Sequence, residues 1–212
     1  LGSDRARRDA RWKELNDACA WLGWDVIQTR DGGLEKINPE GRADDPSAWA
    51  QACGRIREIL ADVQPEVIFF PHERDWNRTH VGTHLLVMDA LAGMPAEFTC
   101  RLVETEYWAP MDDPNLMVAT PAGILSDLMA GIACHTGEVS RNPYHLSLPA
   151  WMQDNVRRGA EVIGGQGAAT PAFTFATLYR VRSWSRGSLR PVFEGGRLLA
   201  GETPAATILD DR

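Results

Sequence analysis

Apolar residues recur at helical spacing from Asp4 to Leu22, which puts Trp12, Leu15, Cys19 and Leu22 on one face, and Gly23 supplies a stop. Trp24 to Thr29 alternates and predicts a short strand, and the Gly-, Asp- and Pro-rich run from Arg30 to Pro46 predicts a loop. Ser47 is placed to cap a helix through Leu60, with Trp49, Cys53, Ile56 and Leu60 on one side. Glu66 to Pro71 has the β-branched and aromatic density of a buried strand closed by proline, and Val81 to Leu91 returns to helical spacing. Further along, 97–108 predicts a strand, 115–121 a shorter apolar piece, and 122–139 a helix with Leu125, Leu128, Met129 and Ile132 inward. A turn at R-N-P-Y-H precedes a helix over 151–163, a G-G-Q-G break and a strand over 172–184. From Gly187 the periodicity weakens to a small hairpin and an extended strand. Strands alternating with helices in this way predict an α/β fold with a mostly parallel sheet and helices on its faces.

The whole pattern fits one domain, since 212 residues bury one sizeable core and need no second. A net charge of −7 and a pI near 5.2 speak against nucleic acid or an anionic membrane as partner, and favour a small neutral or cationic ligand. The absence of a long apolar run predicts no membrane span, and no signal peptide opens the chain. Cys19, Cys53, Cys100 and Cys134 are scattered without a C-x-x-C pair, so they read as buried thiols of a cytoplasmic protein and not as a disulfide frame or zinc knuckle. The sequence starts without methionine and enters a helix at once; a tag remnant at Gly2-Ser3 and a fragment beginning inside a domain explain this equally.

Chemistry concentrates between the strand ending at Pro71 and the helix that follows, where three of the five histidines (His72, His80, His84) stand with Asp75, Trp76, Asn77 and Thr79. Loops leaving the carboxyl ends of strands form the ligand crevice of an open α/β sheet. His80 and His84, four apart, share a helix face and could serve one metal or one substrate, or simply pack. Asn77 or Thr79 could equally be the helix N-cap. The residues leave a metal site, a sugar site and a packed loop all open. A nucleotide-binding Rossmann domain is disfavoured, because G-G-Q-G at 164–167 precedes a strand instead of following one.

Four segments, taken in order, resemble one family. They are L-G-S-x-x-x-R-R-x-x-R-W-x-E-L-x-x-A-C-x-x-L-G, then D-x-N-x-T-H-x-x-T-H, then E-x-E-Y-W-x-P, then A-C-H-x-x-E-V-x-R-N-P-Y. Over residues 1–184 this resembles the LmbE-like (PIG-L) N-acetylglucosaminyl deacetylases. The resemblance implies a Rossmann-like three-layer sandwich and a zinc-dependent hydrolase that removes an acyl group from the nitrogen of an amino sugar or its conjugate. It makes His80 the zinc-binding histidine, His135 the group near the developing oxyanion, and Arg11 a residue near the sugar. Asp75, Trp76 and Asn77 would stand on the substrate side, and Trp76, Tyr107 or Trp108 could offer the sugar a face.

The chain departs from the family at two places. Asn77, Arg78 and Thr79 replace the first three residues of the usual H-P-D-H, and the first family motif, H-P-D-D-E, has no match. Asp44-Asp45-Pro46 has a similar composition without the order or the histidine. The resemblance therefore implies a chain lacking the N-terminal strand–helix–strand, with 187–212 as a C-terminal extension and zinc weak or absent. The rival expectation is a metal-free sugar-binding or homo-oligomer-forming remnant of the same fold.

Overall fold

The computed structural model describes residues 5–209. Residues 1–4, including Asp4 and the Gly2-Ser3 pair, lie outside the described residues. The helices are α1 (Arg8–Leu22), α2 (Pro39–Asp44), α3 (Pro46–Val63), α4 (Arg78–Ala92), α5 (Ala122–Ala133), α6 (Thr136–Val139), α7 (Tyr144–Gly164) and α8 (Ala206–Leu209). The strands are β1 (Val67–Pro71), β2 (Cys100–Thr105), β3 (Leu116–Ala119), β4 (Ala176–Ser185), β5 (Ser188–Pro191) and β6 (Arg197–Leu199).

The strands form one sheet in the order β1-β2-β4-β3-β6, with β5 hairpinned onto β4. β1 and β2 are parallel, as are β3 and β6, while β4 is antiparallel to β2, β3 and β5. Five strands thus point one way and β4 alone runs back, so the sheet is mostly parallel in direction, as expected. The reversal has a simple cause. The connection through α5, α6 and α7 returns the chain to the end of the sheet it left, so that Ala176 opens β4 opposite Ala119, the last residue of β3.

Opposed residues share a face. Ile68 and Phe70 of β1, Cys100 and Leu102 of β2, and Trp184 of β4 meet Leu60 of α3 and Leu91 of α4. Met117 and Leu178, farther along the same face, meet Val156 of α7. The two helices in extensive contact with the strands, α4 and α7, therefore cover one side. On the other side Val103, Val181 and Leu116 are closed by Phe193 and Leu199, a cluster with no helical member. Phe69 on that side is 63% exposed. Of the expected three layers, the described residues form two.

Three sequence expectations need correction. Residues 24–29 form no strand, because no sheet edge lies beside them; the Thr29 carbonyl instead accepts a hydrogen bond from Arg55 Nε at 2.5 Å. The cap of α3 is Asp45, whose Oδ1 accepts from Ala48 N–H, with Pro46 rather than Ser47 opening the helix. The small hairpin and extended strand expected from Gly187 are present as β5 and β6, which complete the sheet. The turn between β4 and β5 places Arg186 and Gly187 at φ of 50° and 70°, the twist that a tight hairpin needs. α1 buries less than its pattern suggests: Ala18 is its one fully buried residue, and Trp12, Leu15, Cys19 and Leu22 are half-buried. It rests on α5 instead of the sheet.

The loop before α2 is held against α4 at a glycine. A Cβ on Gly82 would overlap the Ile37 carbonyl and the Asn38 backbone. Substituting Gly82→Ala raises helix propensity but forces this loop away, and we expect a net loss of about 1–3 kcal/mol, since overpacking outweighs the propensity gain. Urea denaturation of the variant measures it; unchanged or higher stability would show that the loop yields freely.

Candidate functional site

Asn77 opens α4, its Oδ1 accepting from Thr79 N–H at 2.9 Å, so Asn77 and not Thr79 is the cap. The five residues between β1 and this cap are tightly tied. His72 is 1% exposed, with Nε2 against the Ala109 carbonyl at 3.0 Å and Nδ1 accepting from Arg74 N–H at 3.3 Å, which fixes its proton on Nε2. Its burial removes it as a mobile ligand. The Asp75 carboxylate is also buried and all its capacity is used. Oδ1 accepts from Asn77 N–H at 2.7 Å and faces His80 Nδ1 at 3.1 Å, while Oδ2 accepts from Trp108 N–H at 2.9 Å.

Asp75 is therefore not a substrate contact, as the sequence suggested, but the group that orients His80. With Nδ1 held by a carboxylate, the His80 proton belongs on Nδ1, and Nε2 is left with its lone pair. Nε2 bonds no described residue, and His80 lines a crevice of about 580 Å³. Tyr107 lies against the ring at a tilt of 54°, with 4.9 Å between centroids.

The same crevice is lined by Arg11, Asn77, Trp108, His135, Glu138 and Tyr144 among others, so it brings together His80 and His135, 55 positions apart in sequence. Trp108, 41% exposed, presents its ring there and meets Tyr144 edge-on at 5.4 Å. Trp76 does not line the crevice and is 75% exposed, because the tightly turned loop throws it outward. Arg11 Nη2 reaches Glu138 at 3.1 Å, and Arg141 pairs with the same carboxylate.

His135 precedes α6, and the turn is tied to α1 by Glu14, whose Oε1 accepts from Gly137 N–H at 2.8 Å and Thr136 Oγ1 at 2.9 Å. Nothing in the sequence marks Glu14 for this task except its place in R-W-K-E-L. The Gly137 amide, helped by the Thr136 hydroxyl and the charge of nearby His135, holds the Glu14 carboxyl below its ordinary range.

His84, one turn beyond His80, belongs to a different environment. Its Nδ1 donates to the Pro71 carbonyl at 3.0 Å, its ring lies on Phe70 at 5.3 Å, and Glu104 Oε1 stands 3.4 Å away. The two imidazoles do not converge on one metal. Glu73, His84 and Glu104 do bring ligand atoms within 4.8 Å of one another, a group able in principle to hold a metal. Two arginines already fill it. Arg180 donates from Nε and Nη2 to the two oxygens of Glu104 at 2.7 and 2.8 Å, and also pairs with Glu73. Arg182 adds a contact to Glu104 at 2.7 Å. A cation placed there would have to displace guanidinium groups, so we assign the cluster a structural role.

No protein-family model matches the chain, and no curated protein matches it. Five chains of solved structures do, among them the following two. The conserved protein TT1542 from Thermus thermophilus is similar over 81% of this chain and 72% of its own, at 19% identity and a TM-score of 0.56. GalB, the 4-carboxy-2-hydroxymuconate hydratase from Pseudomonas putida KT2440, is similar over 85% of this chain and 74% of its own, at 16% identity and a TM-score of 0.61. At such identities the likeness establishes the α/β fold alone. No helix among the described residues is long and apolar enough to cross a membrane.

Two outcomes follow from this geometry. Asp75→Asn places an amide N–H₂ against backbone N–H donors or His80, and should cost about 1–3 kcal/mol because buried donors lose their acceptor; unfolding curves at neutral pH read the loss, and an unchanged midpoint would mean that the carboxylate is dispensable.

The charged cluster should also make the fold acid-sensitive in two windows. Burial lowers His84 below its ordinary 6.5, against the opposing pull of Glu104. The unfolded chain then binds the proton more readily, so stability falls as pH drops below about 6.5. Burial alone would raise Glu73, but the Arg180 hydrogen bond and charge bring it down from 4.5 to about 2, and that contribution is lost as pH falls from 4.5 toward 2. Denaturation midpoints measured from pH 7.5 to 3 should decline in both windows, with His84→Gln flattening the upper one. A flat profile above pH 5 in the parent chain would contradict the assignment of His84.

Proposed function

We propose that the crevice is the substrate side of a zinc-dependent hydrolase site of the LmbE-like (PIG-L) kind, acting on the N-acyl group of an amino sugar or sugar conjugate. The observation that carries this reading is the buried Asp75 carboxylate on Nδ1 of His80, the arrangement by which proteins commonly aim a metal-ligating imidazole. Zinc bound there would lower the pKa of its water toward about 7 and polarise the acyl oxygen. His135, which lines the same crevice, would donate to the tetrahedral oxyanion or the leaving amine, a contribution of order 10²–10⁴ in rate. Arg11, held by Glu138, and Asn77 border the sugar, and Trp108 offers it a flat face. The same reading extends the architecture to a Rossmann-like three-layer sandwich, with a further layer over the face that carries Phe69.

The fold by itself does not choose the reaction, since GalB is a hydratase. The donor set limits what this chain does alone. Among the described residues, the one group of three candidate ligands excludes His80. Tight zinc sites use three or four protein ligands, so His80 holds the ion weakly by itself. That ligand count also favours a second reading, a metal-free sugar-binding or oligomer-forming protein. The two readings part at the metal: in the first, zinc and sugar engage the same imidazole.

We expect the purified chain to carry no stoichiometric zinc and to release no acetate from N-acetylglucosamine derivatives. Excess zinc should broaden the His80 imidazole signals in NMR spectra, and His80→Ala should abolish the effect. The methyl glycoside of N-acetylglucosamine should shift His80 and His135 while leaving the buried His72 and His84 unmoved. One tightly held zinc per chain that survives His80→Ala would overturn the ligand assignment, and an unmoved His135 would overturn the substrate reading.

A further inference from the structure

A second hollow adjoins the crevice. Its volume is about 600 Å³, close to that of the crevice itself and within the range that encloses a drug-sized ligand. Leu15 and Thr79 line both hollows, so the two meet across these side chains. The walls of the second are mainly apolar. Trp12 and Leu15 come from α1, Val26 and Ile27 from the segment after it, and Ile37 from the loop before α2, with buried Leu86 of α4 at the base.

The side of the hollow opposite α1 is built from fixed parts. Ile37 and Leu86 belong to the packed cluster between α3 and α4, and the loop that carries Ile37 is seated against Gly82 and closed by the Asn38 side chain accepting from Gly41 N–H at 2.7 Å. Ile27 nonetheless stays 55% exposed, a wall left in water. On the rim, Glu35 is paired with Arg8, whereas Lys36 makes no ion pair with a described residue. The uncompensated charge at the mouth is positive.

We infer that this hollow is the aglycone subsite of the same ligand: it takes the apolar, neutral or anionic, non-sugar part of a conjugate whose N-acylated sugar sits beside His80 and His135. The inference rests on the proposed sugar site and deepens it. A free amino sugar would use only half of the continuous space, and an apolar tail on the anomeric oxygen would dry the walls that the free sugar leaves wet. A cationic tail would meet Lys36 and be disfavoured.

Calorimetric titration with the methyl and octyl glycosides of N-acetylglucosamine, kept below the micellar concentration of the latter, tests the inference. We expect the octyl compound to bind at least tenfold more tightly, a gain that the burial of about two methylenes already supplies. Ile27→Asp, an exposed change that leaves the crevice untouched, should remove the gain and keep the methyl glycoside's affinity. Equal affinity for the two glycosides, with both shifting the His135 signal, would overturn this inference and leave the sugar site standing. Octyl maltoside binding as tightly as the octyl N-acetylglucosaminide, with His135 unmoved by either, would overturn both. A tenfold gain that persists in Ile27→Asp would place the tail elsewhere and overturn the subsite.

Discussion

The pairing of Glu104 on β2 with Arg180 on β4 is the contact on which the rest of the architecture depends. Both lie on the helix-covered side of the sheet, directly opposite each other, and neither is more than 7% exposed. A carboxylate buried there without a partner would be strongly unfavourable, and Arg180 answers it with two parallel hydrogen bonds. Buried pairs of this kind are weak evidence for net stability, but they discriminate between arrangements. A slip of β4 by one residue would turn Arg180 to the face of Val103 and Leu116 and leave Glu104 alone. The pair therefore holds the register of the one reversed strand, and that strand joins the β1–β2 half of the sheet to the β3–β6 half.

The same guanidinium reaches beyond the sheet. Arg180 also contacts Glu73, which follows His72 in the loop after β1, and Asp113, which precedes β3. Glu73 is thereby fastened at the start of the segment that ends at the Asn77 cap, and Asp75 completes the fastening by accepting N–H groups from the loop after β2. Glu106 does similar work one step further on, accepting from Met111 N–H and pairing with Arg158 of α7. The E-x-E of the E-x-E-Y-W-x-P segment thus has a physical account: both carboxylates are scaffold groups, one beneath the sheet's centre and one shaping the loop that presents Trp108. His80 gains its fixed orientation from this framework and needs no ligand to set it.

How much of this was legible in the sequence depends on whether an interaction is local. β2, α3 and α4 follow their periodic patterns, and the buried faces of α3 are those expected, because the signal and the structure share the same few residues; β1 forms where its apolar density put it but is buried only in part, with Phe69 exposed. The four thiols are free, but of the burial expected for them only Cys53 and Cys100 show it, while Cys19 and Cys134 are half-buried. That His80 and His135 line one crevice agrees with the roles the resemblance implies for them, and no local pattern of the sequence brings the two together. Non-local pairing was not legible. The alternation at 24–29 suits a strand, yet a strand exists only beside another, and periodicity cannot report what lies alongside. The reversal of β4 and the incorporation of β6 depend on where long connections end, which no local pattern encodes. Asp75 and Trp76 looked alike as polar and aromatic members of a ligand-bearing loop; the turn buries one and ejects the other, and only the backbone path decides which.

The two halves of the crevice are held with unequal security, and this bears on how it works. The His80 half stands on a buried carboxylate, the sheet and a capped helix. The His135 half is tied down through α1, by Glu14 to Thr136 and Gly137 and by Arg11 to Glu138. α1 buries little of its own surface, and its main support is α5. Elements with few buried apolar contacts occupy the low end of the range of local opening energies. The crevice therefore joins a rigid wall to a yielding one, and the hollow beside it shares Trp12 and Leu15 with that yielding wall. A ligand that filled both spaces would cover the half-buried face of α1.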